Sequence, residues 1–135
     1  YGLHNCLIGP NSTIAAVVDW EISTLGDPLA DIAYALNTFP DPEDEIPIAP
    51  EAATNVPNMP TRSDLVQRYA ERTGRDISKI NYYYGFNRWK SACIVHGVYA
   101  RYMQGNKSSE GVDLEHMRTR IEGALTLAAQ AVNRI

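Results

Sequence analysis

The sequence predicts an α+β fold, mainly α: one β-hairpin at the start, followed by about four helices. Three observations predict it. Two short apolar runs, Cys6 to Ile8 and Ile14 to Val18, flank a Gly9-Pro10-Asn11-Ser12-Thr13 turn, the pattern of strand, loop and strand. Beyond residue 27, apolar side chains recur at spacings of three and four, the period of helices with one buried face. Six of the eight prolines (Pro40, Pro42, Pro47, Pro50, Pro57 and Pro60) gather in one stretch and break that period once. At 135 residues and 44% hydrophobic composition the chain can bury one core. With no internal repeat and no linker it is expected to be a single unit over residues 1–135.

Each helix carries its own punctuation. Asp27 before Pro28 reads as an N-cap followed by proline at the first helical position, where the missing N–H costs nothing. Leu29, Ile32, Ala33 and Leu36 then give that helix an inward face. Residues 38–60 form a loop, with an acidic cluster at Glu43, Asp44 and Glu45. Loops this long are functional or mobile, so it is expected to be either a lid over a substrate or a solvated connection.

Thr61 with Asp64 three residues on is a capping signal, and Gly74 is a stop, so a helix is expected from Thr61 to Gly74 with Leu65 and Tyr69 inward. A longer helix is expected from about Ser78 to Gln104. Its stripe of Tyr82, Phe86, Trp89, Cys93, His96, Tyr99 and Met103 reads first as core. The competing reading is that an edge with Tyr83, Arg88, Lys90 and His96 lines a pocket. The last helix, Asp113 to about Asn133, turns Leu114, Met117, Ile121, Leu125, Ala128 and Val132 inward and Glu115, Arg118 and Glu122 outward.

Composition narrows the function classes. A net charge of −4 argues against nucleic acid as a general partner, because that binding rests on neutralising phosphates. No run of about 18 apolar residues exists to span a membrane, and no basic-then-apolar opening suggests a signal peptide. Cys6 and Cys93 sit in apolar contexts without metal-ligand spacing, as reduced core thiols of a cytoplasmic protein would.

The chemistry concentrates in the hairpin. Its strands put the Asn5 amide at the start of one run near the Asp19 carboxylate at the end of the other. A carboxylate there would be costly to bury unpaired, so a metal is one solution and solvent at a strand end is the other. Hard cations such as Mg²⁺ take oxygen ligands, often only one or two from protein. Glu21 is a third oxygen donor nearby, or a surface carboxylate. Leu7 and Val18 are apolar positions beside the pair, with ordinary packing as the alternative to a cofactor contact.

The run Asn5, Asp19-Trp20-Glu21 and Gly26-Asp27-Pro28-Leu29-Ala30-Asp31 resembles the aminoglycoside phosphotransferase and choline kinase type of kinase-like family. The likeness is strongest to the branch related to the kinase-like part of acyl-CoA dehydrogenase family members, and it covers Asn5 to about Leu36 well and the later helices loosely. It implies the C-terminal lobe of a protein-kinase-like fold, with ATP or GTP and Mg²⁺ as cofactors and transfer to the hydroxyl of a small molecule, aminoglycoside-like or hydroxyacyl. It implies Asn5, Asp19 and Glu21 as metal ligands, Leu7 and Val18 against the nucleotide, His4 inside the catalytic loop, and Asp31 as structural support of that loop.

In that family the catalytic Asp would stand immediately before Tyr1, and a lysine on an N-terminal sheet would hold the phosphates. The 135 residues are therefore expected to be part of a kinase-like domain and inactive alone, with an apolar wall at Leu7 and Val18 through which they dimerise. A non-catalytic interaction module keeping the same fold is the rival reading. A plain helical binding domain would leave Asn5, Asp19 and Asp31 unexplained.

Overall fold

The computed structural model describes residues 2–21, 23–47 and 52–135. Tyr1 of the expected catalytic loop and Pro50 of the proline-rich stretch lie outside the described residues. Among these residues are an antiparallel hairpin, β1 (Cys6–Ile8) and β2 (Ile14–Val17), and four helices: α1 (Pro28–Leu36), α2 (Arg62–Thr73), α3 (Ile80–Met103) and α4 (Leu114–Val132). The mainly helical α+β class read from the sequence is the class observed.

The hairpin pairs Cys6 with Val17, Leu7 with Ala16 and Ile8 with Ile14, and a bulge between Leu7 and Ile8 absorbs the extra residue Ala15. Its turn needs a left-handed backbone at Asn11 and Ser12, with φ of 61° and 57°. Asn is among the few side chains that tolerate that region. The helices start and stop as the sequence marks them. Asp27 accepts the Leu29 N–H at 2.9 Å ahead of α1. Thr61 and Asp64 exchange bonds in a full capping box ahead of α2, and Gly74 closes it at φ 68°.

α3 and α4 run antiparallel and in close contact. The approach is tight at Gly85, where an added Cβ would stand 2.9 Å from the Val132 side chain. Leu29, Ala33 and Leu36 of α1 meet Val66 of α2, Ile80 and Tyr84 of α3 and Ala131 of α4 in the core. Two further bonds fix α1 against α3. The Asn87 side-chain amide donates to the Ala30 carbonyl at 3.0 Å, and Tyr83 Oη donates to Asp27 at 2.7 Å.

The core face of α3 is not the aromatic stripe. The buried positions are Ile80, Tyr84, Gly85, Asn87, Arg88 and Ala92, whereas Tyr82, Phe86 and Trp89 are 54%, 42% and 53% exposed. Leu125 and Val132 of α4, also expected inward, are exposed beside them. The reason is α3's position between α1 and α4. Small side chains let α4 approach, and polar ones reach α1 and the acidic loop, so the largest rings are left outside. Cys93 is likewise exposed and Cys6 half-buried, both as free thiols.

The stretch before α2 is no solvated acidic loop. Asp44 is buried, receiving both Arg62 guanidinium nitrogens at 2.8 and 2.6 Å and Arg88 at 3.3 Å. Gln130 of α4 donates to the Glu43 carbonyl at 2.6 Å and accepts the Glu45 N–H at 3.1 Å. Arg134 adds a bond to the Glu43 carbonyl at 2.8 Å. The acidic run is thereby clasped to α2, α3 and the end of α4. No helix among the described residues is long and apolar enough to cross a membrane.

Candidate functional site

The base of the hairpin brings Asn5 and Asp19 together across 14 residues of chain. The Val18 N–H donates to the Asn5 carbonyl at 2.9 Å, extending the ladder one step past β2. The Asn5 side-chain Nδ2 then donates to Asp19 Oδ2 at 3.1 Å. That bond uses the amide nitrogen, so the amide oxygen is the Asn5 atom with ligand chemistry to offer. Asp19 stands at φ 66°, a left-handed backbone that costs a non-glycine residue energy. Such strain is held in place by its surroundings, here the Trp20 indole on the Val17 carbonyl at 2.7 Å and the Ser23 hydroxyl on the Trp20 carbonyl at 2.7 Å.

The remaining residues singled out in the sequence fall around this pair unequally. Leu7 pairs with Ala16, and strand alternation puts Val18 on the same face as Ala16. Leu7 and Val18 thus share one side of the hairpin and are 53% and 40% exposed. Glu21 is exposed two residues past Asp19. Asp31 lies in the first turn of α1, where the helix dipole favours its charge. His4 is exposed within a single 3₁₀ turn, Leu3–Asn5, its ring lying over Gly2. Among the described residues, no group of three His, Cys, Asp or Glu side chains is close enough to hold a metal ion by itself. The oxygens of Asn5 and Asp19 fit the sparse hard donor set of a Mg²⁺ that takes its other ligands from phosphate and water.

Arg88, expected at a pocket edge, is instead committed to Asp44 and to the Leu127 carbonyl at 3.2 Å. A cavity of about 210 Å³ does lie there, lined by Asp41, Arg62, Tyr84, Arg88, Gln130 and Arg134 among others. Its charges are already matched in pairs. Burial depresses the Arg88 pKa, whereas Arg62, buried as well, is held up by its bonds to Asp44. Burial pushes the Tyr84 hydroxyl up to about 12, and the two guanidinium groups stack over its ring at 4.9 and 5.8 Å. The cavity is a neutral strut under the clasped loop. Lys90 and His96 lie on the exposed side of α3, with Lys90 5.9 Å over the Tyr34 ring.

One positioning contact escaped the sequence. Asp27, read as a helix cap, also takes the Tyr83 hydroxyl. The Leu29 N–H and that hydroxyl together hold its carboxyl below the ordinary range. In return Tyr83 is pushed up. Nothing in the spacing of residues 27 and 83 signals this bond, because it depends on how α3 crosses the start of α1.

Comparison with known proteins gives the class of the segment that holds the hairpin, its Asn–Asp pair and the capped helix that follows. The model of the phosphotransferase enzyme family matches residues 1–65. Acyl-CoA dehydrogenase family member 11 of Gallus gallus is 33% identical over 116 residues, covering 82% of this chain and 15% of that protein. The Homo sapiens protein of that name is 31% identical over 113 residues, covering 82% and 14%. Acyl-CoA dehydrogenase family member 10 of Mus musculus is 34% identical over 115 residues, covering 81% and 11%. The chain thus resembles the aminoglycoside phosphotransferase type of family, in the branch of acyl-CoA dehydrogenase family members 10 and 11. It spans about one seventh of the member 11 proteins it matches. No solved structure matches it significantly.

Proposed function

We propose that this chain is the metal-holding part of a small-molecule O-phosphotransferase that uses Mg²⁺ and ATP or GTP. The observation that carries the reading is the Asn5–Asp19 contact at 3.1 Å, formed at a left-handed Asp19. Bound there, Mg²⁺ would neutralise the nucleotide phosphates as the phosphoryl group leaves. The chain's own part is positional. Asn5 holds the Asp19 carboxylate in one rotamer and offers its amide oxygen beside it, Glu21 supplies a further carboxylate, and Leu7 and Val18 give the nucleotide an apolar surface. Asp31 supports the loop before Asn5. The relatives' name favours a hydroxylated acyl compound over an aminoglycoside as the phosphate acceptor. The 135 residues alone are proposed to bind without turnover, which makes binding the readout.

The test is Mn²⁺ binding, followed by electron paramagnetic resonance with and without ATP, on the chain and on Asp19→Ala and Asp19→Asn. Asn tolerates the same backbone, so the second variant removes charge without adding strain. ATP-dependent Mn²⁺ binding in the parent, lost in both variants while circular dichroism and Tm hold, supports the reading. Binding that survives Asp19→Ala overturns it.

A further inference from the structure

The polar cavity of about 210 Å³ lies where the acidic loop meets α2, α3 and α4. Its fixed charges balance, with Arg62 and Arg88 against Asp41 and Asp44, and Arg134 against Glu43. Its hydrogen bonds do not. Each of the guanidinium groups of Arg62, Arg88 and Arg134 carries five N–H donors, and the oxygens around them are already shared. Asp41 accepts from the Ser63 N–H and hydroxyl at 3.1 and 2.5 Å and from the Glu43 N–H at 3.2 Å. The Gln130 amide oxygen takes the Glu45 N–H. Tyr84 lines the cavity and is 5% exposed, and its buried hydroxyl has no hydrogen-bond partner. Burial keeps that hydroxyl protonated, and so a donor, at neutral pH. Native proteins leave few such groups unpaired, and one beside a polar cavity points to an acceptor on a ligand.

We propose that this cavity binds a small monocarboxylate that carries a second oxygen acceptor, such as an amide or oxo group, a few bonds away. The carboxylate takes the fork of Arg134. In the free chain that guanidinium spends its terminal nitrogens separately, one on the Glu43 carboxylate at 3.3 Å and one on the Glu43 carbonyl at 2.8 Å. The two side chains are 35% and 73% exposed, so their contact forms the rim of the cavity. An ion pair in contact with water is worth little, whereas a planar carboxylate held by two guanidinium nitrogens at once makes the strong bidentate geometry. The incoming carboxylate displaces that of Glu43, which turns out to solvent. The exchange leaves the charge balance as it was. The second oxygen of the ligand, at the inner end, accepts from Tyr84.

Charge and volume narrow the ligand further. A second negative charge would have no cation left to meet it among the buried pairs, which disfavours dicarboxylates and phosphate. A cavity of about 150 Å³ takes benzene, so this one takes roughly eight non-hydrogen atoms.

N-acetylglycine has that size and both groups. Hexanoate matches it in size and carboxylate but lacks the second acceptor. Titration of the isotope-labelled chain with each, followed by amide NMR, tests the proposal. N-acetylglycine should give one saturable set of shifts centred on Ser63, Asn81 and Arg134, with a Kd in the millimolar range or below, and hexanoate should bind there about tenfold more weakly. Tyr84→Phe should bind N-acetylglycine about tenfold more weakly with hexanoate unchanged. Its Tm should hold or rise, because the hydroxyl has no bond in the free chain to lose. Arg134→Gln should weaken both ligands about tenfold. Glu43→Gln, which removes the displaced competitor, should tighten both about threefold. No saturable shift in the parent overturns the proposal and leaves the cavity to water. So does N-acetylglycine binding that survives Tyr84→Phe, a Tm that falls in that variant, or a Glu43→Gln chain that binds more weakly.

Discussion

Removing the Asp44 carboxylate should be the most damaging single change in this chain. Asp44 is the anion shared by two buried cations: the side chains of Arg62, Arg88 and Asp44 are 5%, 7% and 8% exposed. Arg62 meets it as a fork with both nitrogens within 2.8 Å, the strong geometry for such a pair. In Asp44→Ala both buried guanidinium groups lose this partner. Arg62 keeps Asp41 at 3.8 Å and the Tyr84 ring, and Arg88 keeps the Leu127 carbonyl. Stranding a charge in this way costs about 3–5 kcal/mol, a large share of the ~5–15 kcal/mol that holds a domain folded. At roughly 3–5 °C per kcal/mol for a chain of this size, Tm should fall by about 10–20 °C. Urea unfolding followed by circular dichroism reads the loss directly. A loss below about 1 kcal/mol in Asp44→Ala would refute the buried clasp and return Asp44 to solvent.

Two smaller perturbations probe the frame around the candidate site. Tyr83→Phe removes one of the two bonds that depress the Asp27 carboxyl, so its titration midpoint, followed by carboxyl-carbon NMR, should rise toward the ordinary 3.8. A depressed folded value stabilises above the unfolded value and that contribution disappears as pH falls through the folded one; in Tyr83→Phe the acid-linked loss should therefore be smaller and complete at a higher pH, and an unmoved midpoint would remove Tyr83 from the site's support. Gly85→Ala forces a methyl to within 2.9 Å of Val132 and 3.3 Å of the Ala128 carbonyl, and the overpacking should cost about 1–3 kcal/mol in urea unfolding, whereas Gly97→Ala, with nothing within 4 Å, should be neutral or stabilising.

Much of the architecture is written locally and could be read locally. The hairpin turn from Gly9 to Thr13, the Asp27 cap with Pro28, the Thr61–Asp64 box and the Gly74 stop each depend on residues within four positions of one another. The Asn5 and Asp19 contact was legible for a related reason: a short hairpin has a fixed register, so its two ends must meet. The helix faces were legible only in part. α1 buries the face its period gives, since one neighbourhood of apolar side chains has only one way in. α3 offers two candidate faces, aromatic and mixed polar, and periodicity cannot rank them.

What the sequence by itself determined is therefore the element order, the caps, the hairpin with its amide and carboxylate, and the resemblance these carry. Only the tertiary structure decided that Arg88 and Asp44 go inward while Phe86 and Trp89 stay out. Burying an ion pair is favourable only when both charges and their remaining donors find partners at once. Those partners come from α2, α3, α4 and the loop at Asp41 to Glu45, up to 91 residues apart. No local pattern records a bond that exists only after four segments have closed around it.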